Sequence, residues 1–454
     1  MDYSLSLAFD RFETDTYVRE TADALDTEES VPEDMDGIEN SWDVEENDRQ
    51  RPIEHVVEQT GSFSVTAASS KAEKDKRRRQ MKRREKREEL FWSRGQPPAE
   101  KIARVISHME AVDAHIRQGS IENLPSAACG YQASREGAER TRRVRTLDDA
   151  LKDGYRLIKW DGVNTKVIAT EAKRVVIGVC VGRNQDEKWA RVGEDAFSAI
   201  SRAAVEVSEL NMPRRPNPRG NFSTLLTGIL HGHGSKEAHQ VQTGRYTNVI
   251  QKLTTHEAIR RLAGFASASF NTFAPKLYSY YHDRMNALNI HSPSLKRPFN
   301  RSVFACAGFN IGEQVAAFMH RDCMNCPFGW CAVHALGRFN PMTGGHMLLD
   351  DLKLAIEFPP NSLMLIPSAI IKHGNAAVAE GELRASFTQF SPGNLFRFID
   401  CGFQTEASLK LSDEEKYGRM MDLKRSRWRD GIGLWSTVDE LHAIAKEISD
   451  GYIA

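Results

Sequence analysis

From Pro98 onward apolar residues recur at intervals of three and four, at Ile102, Val105, Ile106, Met109, Val112 and Ile116, which predicts an amphipathic helix. Three extended apolar runs follow, RLIKWDG, TKVIAT and RVVIGVCVG, separated by polar turns, and predict a small meander of strands. DAFSAISRAAVEVSEL reads as a helix, and residues 213–235, PRRPNPRGNFSTLLTGILHGHGS, as a long loop broken by proline and glycine. Thr254 with Glu257 fits a capping box opening another helix, and Pro275 suits the first turn of the next.

Beyond residue 300 the pattern changes to short strand-like runs: SVFACAGFNI, FGWCAVHALGRF, GHMLL, KLAIEF, SLMLIP, LRASFTQF and LFRFID. Turn signals such as NPMTGG, FPPN and SPGN separate them, a spacing that predicts a barrel or double-sheet jelly roll. Ser412 with Glu415 and Thr437 with Glu440 fit capping boxes for two closing helices. The expected class is α+β, a jelly-roll core at about 300–405 with supporting helices. A helical linker region is expected at 91–145 and closing helices at 411–454.

Residues 1–90 lack any such pattern and are expected to be disordered, because high charge and few aromatics leave too little surface to bury. The net charge of −1 conceals a segregation, with residues 1–60 acidic and 71–87, KAEKDKRRRQMKRREKR, basic. The basic run reads equally as a nuclear localisation signal or phosphate-binding arm and as a solvated helix. No run of eighteen apolar residues suggests a membrane span, and the acidic start does not resemble a secretory leader. Seven cysteines, odd in number and set mostly among apolar neighbours, point to a reducing intracellular setting.

Candidate chemistry concentrates in FMHRDCMNCPFGWC at 318–331. In an extended segment His320 and Asp322 project from one face while Arg321 points away. With a second histidine from a distant strand they form the facial triad of non-haem Fe(II) oxygenases, and His373 follows in SLMLIPSAIIKHGN. Arg384 and Ser386, two apart on the next strand, suit the distal carboxylate of 2-oxoglutarate: the guanidinium pairs bidentately and the hydroxyl adds a hydrogen bond. Cys323, Cys326 and Cys331 offer a CxxC and a third thiol, but no second well-spaced pair follows, so burial is expected rather than zinc.

HRDxxN at 320–325, GGH at 344–346, PSAIIKHGN at 367–375 and RASFTQFSPGNLFRF at 384–398 resemble the TET/JBP family of nucleic-acid-base dioxygenases, most of all its compact fungal members. The likeness is clearest over 255–405 and extends faintly from about 145, so that 146–410 would be the dioxygenase domain. It implies a double-stranded β-helix that uses Fe(II), 2-oxoglutarate and O2 to oxidise the methyl group of a modified base. His320, Asp322 and His373 would hold iron, and Arg384 and Ser386 would hold 2-oxoglutarate with His346 a further contact. Asn325 would hydrogen-bond the extruded base and Phe390 stack on it. Pro392 stands where animal members have a base-contacting histidine, and their large cysteine-rich zinc region has no counterpart.

The expected partner is therefore DNA carrying modified bases, above all 5-methylcytosine, met in the nucleus by a monomer. Arg214, Arg215 and Arg219, with His231 and His233 beyond, are the candidate phosphate contacts. Thymine, N6-methyladenine, RNA or a protein side chain are alternative substrates, and a catalytically silent nucleic-acid-binding jelly roll is the alternative of another class.

Overall fold

The computed structural model describes residues 99–451 except 128, 135–142, 184–186, 211–216 and 233, and before residue 99 only 78, 79 and 82. The expected disorder and charge segregation of residues 1–90 thus fall almost wholly outside the described residues. The strands are β1 (Glu110–Ala114), β2 (Arg156–Ile158), β3 (Lys166–Thr170), β4 (Val176–Val181), β5 (Ser223–Leu230), β6 (His239–Gln240) and β7 (Cys306–Ile311). There follow β8 (Cys331–Arg338), β9 (Met347–Leu349), β10 (Leu354–Ile356), β11 (Ser362–Ile366), β12 (His373–Asn375) and β13 (Leu383–Phe390).

Two sheets result, one in the order β1-β3-β4-β11-β8-β13-β7-β5-β6 and a smaller one in the order β12-β9-β10-β2. The chain of the core crosses between them repeatedly, β7 and β8 lying in the large sheet, β9 and β10 in the small, then β11 in the large, β12 in the small and β13 in the large. Apolar residues of both sheets, such as Leu349 and Ile356 with Leu363 and Leu365, share one buried cluster. This is the double-stranded β-helix, or jelly roll, of an α+β protein.

The far face of the large sheet is covered by helices Glu187–Glu209, Thr247–Thr255 and Glu257–Phe273. Ala385 and Phe387 of β13 turn toward that layer, where Phe387 stacks on Phe309 with centroids 5.1 Å apart. Each such ring contributes about 2–3 kcal/mol over its exposed state. The intervening Arg384 and Ser386 therefore take the opposite face, inside the barrel. Gly337 lies opposite Arg384 at φ +136°, and a Cβ there would fall 2.1 Å from the Leu383 carbonyl oxygen.

Several elements differ from the sequence pattern, each for a local reason. The helix expected from Pro98 stops at Ser107, whose hydroxyl bonds back to the Arg104 carbonyl, and residues 110–114 instead pair in parallel with β3. RLIKWDG supplies β2 to the small sheet, so only β3 and β4 form a hairpin. STLLTGIL, inside the expected loop, is β5, paired with β7. LFRFID is helical, within Gly393–Asp400, because Pro392 and Gly393 end the strand and start a turn.

The box at Thr254 does not form, since its hydroxyl bonds to the Ile250 carbonyl and the next helix starts after His256, which makes no side-chain cap. At 412–415 the cap is Asp413, one residue later than expected. Thr437 and Glu440 do cap each other, with bonds of 3.0 and 3.1 Å.

Candidate active site

The structure brings His320, Asp322 and His373 together at one end of the barrel, their ligand atoms all within 4.8 Å of one another. His320 and His373 face each other across an antiparallel bridge with both backbone bonds 2.9 Å long. Their rings lie 4.4 Å apart. Asp322 is fixed by its backbone N–H on the Ser368 carbonyl at 3.0 Å. Its Oδ1 is 3.6 Å from His320 Nε2, and its Oδ2 is 3.9 Å from His373 Nε2.

Each imidazole donates its Nδ1–H to a carbonyl two residues back, His320 to Phe318 at 2.8 Å and His373 to Ile371 at 2.9 Å. That fixes the tautomer with a lone pair on Nε2, the form a metal takes. Burial, with smaller contributions from surrounding positive charge, lowers the pKa of both rings, so they are neutral near pH 7. Burial works against ionisation of Asp322, but Arg219 and the two imidazoles outweigh it and hold the carboxyl below its ordinary value. Two neutral imidazoles and one carboxylate on one side of a void suit Fe(II) with open positions left for ligands.

Arg321 turns away from the triad, as the alternation predicts, and forms a buried fork with Asp351 at 2.7 and 2.9 Å. Asp351 also accepts from the Lys372 N–H at 2.7 Å, while Arg321 Nε donates to the Ile370 carbonyl at 2.9 Å. The chain leading into His373 is thereby tied to the residue between His320 and Asp322.

Arg384 is 2% exposed and donates to the Val315 carbonyl at 2.8 Å, while its Nε has no partner. Burial lowers its pKa to about 10. Among the described residues no carboxylate pairs with it, so a buried cation stands without an anion, which a ligand carboxylate would supply. Ser386 accepts from Asn310 Nδ2 at 2.9 Å. His346 is fully buried with neither ring nitrogen bonded, and burial lowers its pKa to about 4. Gly345 before it rests on the Phe339 ring, and the Arg384 guanidinium sits 5.8 Å above that same ring. A cation, a hydroxyl and an unbonded imidazole thus gather where 2-oxoglutarate would lie, and the residues fit that group.

Asn325 lies beside the triad, its N–H donating to the Asp322 carbonyl at 2.9 Å, and it bridges to Pro392 while Cys326 N–H donates to the Ser391 carbonyl at 3.1 Å, so the chain just beyond Phe390 joins the same loop. The Asn325 Nδ2 donates to Cys331 Sγ at 3.3 Å and Ser368 Oγ at 3.4 Å, and Ser368 Oγ donates to Cys331 Sγ at 2.8 Å. Two amide hydrogens so placed leave Oδ1 as the group Asn325 can offer a ligand. Cys331 is thus part of the site, with its thiol pushed by burial up to about 12. Cys323 and Cys326 pack in the core, and among the described residues the metal-capable cluster is the triad alone.

Of the side chains expected to meet phosphate, Arg219 and His231 are described. Arg219 reaches into the metal centre, its Nη2 2.9 Å from Asp322 Oδ1. His231 is buried against Phe398, with ring centroids 4.4 Å apart. Arg214, Arg215 and His233 lie outside the described residues. A cleft of about 650 Å3 between Trp160, Arg183, Met342 and Pro359 is lined by none of the candidate residues.

No family model and no curated protein matches the sequence. Among solved structures, the chain is similar to NgTET1 in complex with 5mC DNA, at 12% identity over 57% of this chain and 91% of that one, with a TM-score of 0.37. It is also similar to an oxidoreductase of the 2OG-Fe(II) oxygenase family from Burkholderia pseudomallei, at 15% identity over 46% of this chain and 91% of that one, TM-score 0.24. Likeness this distant carries neither substrate nor mechanism to the chain, and the chemistry rests on the donor set and the barrel around it. The donor set is one that could hold Fe(II), with a buried cation and hydroxyl placed to receive a carboxylate ligand. Ser368 and Cys331 belong to the same site through their bonds to Asn325, although no spacing in the sequence singles them out.

Proposed function

We propose that this protein is an Fe(II)/2-oxoglutarate-dependent dioxygenase that oxidises the methyl group of a modified base in DNA, 5-methylcytosine before others, after the nucleotide has left the duplex. The observation that carries the reading is Asn325, next to the triad through its N–H on the Asp322 carbonyl and held by Cys331 and Ser368 so that its carbonyl oxygen is the group left to a ligand. A carbonyl acceptor selects a base with an exocyclic amine, and disfavours thymine, which presents another acceptor there. Phe390 supplies the stacking surface that replaces the neighbouring bases.

Fe(II) and 2-oxoglutarate, when bound, supply the O2-dependent removal of hydrogen from an unreactive C–H bond. The chain's part is to position. His320, Asp322 and His373 hold the metal, Arg384, Ser386 and His346 orient the cosubstrate, and the buried walls exclude water. The unpaired Arg384 also speaks against a silent binding protein, since a buried cation kept without use is a standing cost. The basic run at 71–87 supports action in the nucleus.

The test is incubation with Fe(II), 2-oxoglutarate and duplexes carrying 5-methylcytosine, thymine or N6-methyladenine, with nucleosides then identified by mass spectrometry. Oxidised 5-methylcytosine, lost in His320→Ala, is the expected result. Oxidation of thymine in preference would overturn the assigned base, and no oxidised base from DNA or RNA would overturn nucleic acid as substrate.

A further inference from the structure

Arg219 is held at Asp322, and a further basic surface is tied to the loop that carries Asn325. Residues 424–430, KRSRWRD, join helix Glu414–Lys424 to helix Arg427–Ile432 and set Lys424, Arg425, Arg427 and Arg429 against a single carboxylate, Asp430.

Half of this segment is an anchor. The Arg427 guanidinium lies 4.2 Å over the Tyr131 ring and donates to the Cys129 carbonyl at 2.6 Å. The Trp428 indole donates to the Glu122 carbonyl at 3.1 Å, and Gly431 rests directly on Phe328. The partners of these anchors are themselves fixed to the base-facing loop. Ala133 N–H donates to the Cys323 carbonyl at 2.9 Å, and Gln132 Nε2 to Met324 Sδ at 3.4 Å, immediately before Asn325.

The other half faces outward. Among the described residues Lys424, Arg425 and Arg429 make no ion pair, and Arg425 and Arg429 are exposed. Both Arg425 and Ser426 have right-handed helical backbone, so Arg425 and Arg429, four apart, share a face. Three cations without counterions, on a segment bolted to the loop that carries Asn325, match the phosphates flanking an extruded nucleotide.

We propose that Lys424, Arg425 and Arg429 form a phosphate-binding surface that holds the nucleic-acid backbone beside the active site, an inference that rests on the nucleic-acid reading above. Each cation that neutralises a phosphate adds about 0.9 to the steepness with which log affinity falls against log salt. The full-length triple variant Lys424→Gln, Arg425→Gln, Arg429→Gln is therefore expected to bind a modified duplex at least tenfold more weakly at physiological salt, with a slope shallower by about 2 to 3.

Turnover of 2-oxoglutarate without nucleic acid, which reads the intact metal site, should not change, and Arg425→Lys with Arg429→Lys should retain most of the binding. Parental affinity and salt slope in the triple variant, while the parent oxidises the duplex, would overturn the surface alone. A parent that binds no nucleic acid overturns both readings together.

Discussion

Arg219 Nη2 stands 2.9 Å from Asp322 Oδ1, so the carboxylate that completes the triad is shared with a guanidinium. Arg219 is held for this by its own backbone: its N–H donates to Asn217 Oδ1 at 2.9 Å, and its carbonyl accepts from the Phe318 N–H at 2.7 Å. The cation disfavours protonation of all three metal ligands, lowering the pKa of Asp322, His320 and His373 alike. Removing it raises all three, so protons compete with metal up to a higher pH. Arg219→Gln should move the acid limb of Mn(II) or Fe(II) binding upward, measured by metal titration across pH 4–8. An unchanged profile would show that Arg219 does not tune the centre.

The Arg321–Asp351 fork fastens the two ligand-bearing segments to each other, with side chains only 4% and 3% exposed. Asp351→Ala leaves the buried Arg321 guanidinium without its carboxylate, and such losses cost about 3–5 kcal/mol. Chemical denaturation should show a loss of that size, together with weaker metal binding. A loss below about 1 kcal/mol would mean that the fork behaves as a surface pair.

Arg384 predicts an exchange of stability for function. Replacing an unpaired buried cation by an apolar chain of similar length removes its desolvation cost. Arg384→Met should melt no lower than the parent without cosubstrate. With divalent metal present, 2-oxoglutarate at a hundred times its Kd should stabilise the parent by about 2.7 kcal/mol and leave the variant unmoved. Equal stabilisation of both would remove Arg384 from the cosubstrate site.

His334 lies outside the site, fully buried with both ring nitrogens unbonded, and burial lowers its pKa to about 3. The unfolded chain, with an ordinary value near ~6.5, takes up that proton first. Stability from this position is therefore full above about pH 6.5 and is lost as pH falls toward 3. His334→Leu should flatten the fall of stability between pH 6 and 4 by up to about 1.4 kcal/mol per pH unit. Parallel curves for parent and variant would count against a neutral buried imidazole.

The legible part of the site was the part written locally. His320 and Asp322 announce themselves by period two, and Arg384 and Ser386 do so again on β13. Arg219 was misplaced because its loop carries several arginines, and only the bond from its carbonyl to Phe318, ninety-nine positions on, shows which way it turns. Ser368 and Cys331 lie forty-three and six positions from Asn325, and their role depends on that long-range convergence. In the fold, LFRFID was ambiguous because its apolar residues satisfy a short strand as well as a helical turn. The preceding Pro-Gly was the stronger signal.

The bridge between His320 and His373 sets an order of events. During synthesis, the first two ligands leave the ribosome fifty-one residues before the third, and the pair alone cannot encircle an ion. Only closure of the small sheet, through two backbone bonds of 2.9 Å, makes the set complete. A metal that takes all three ligands would therefore need the sheet closed first, so its binding would report on the folded barrel.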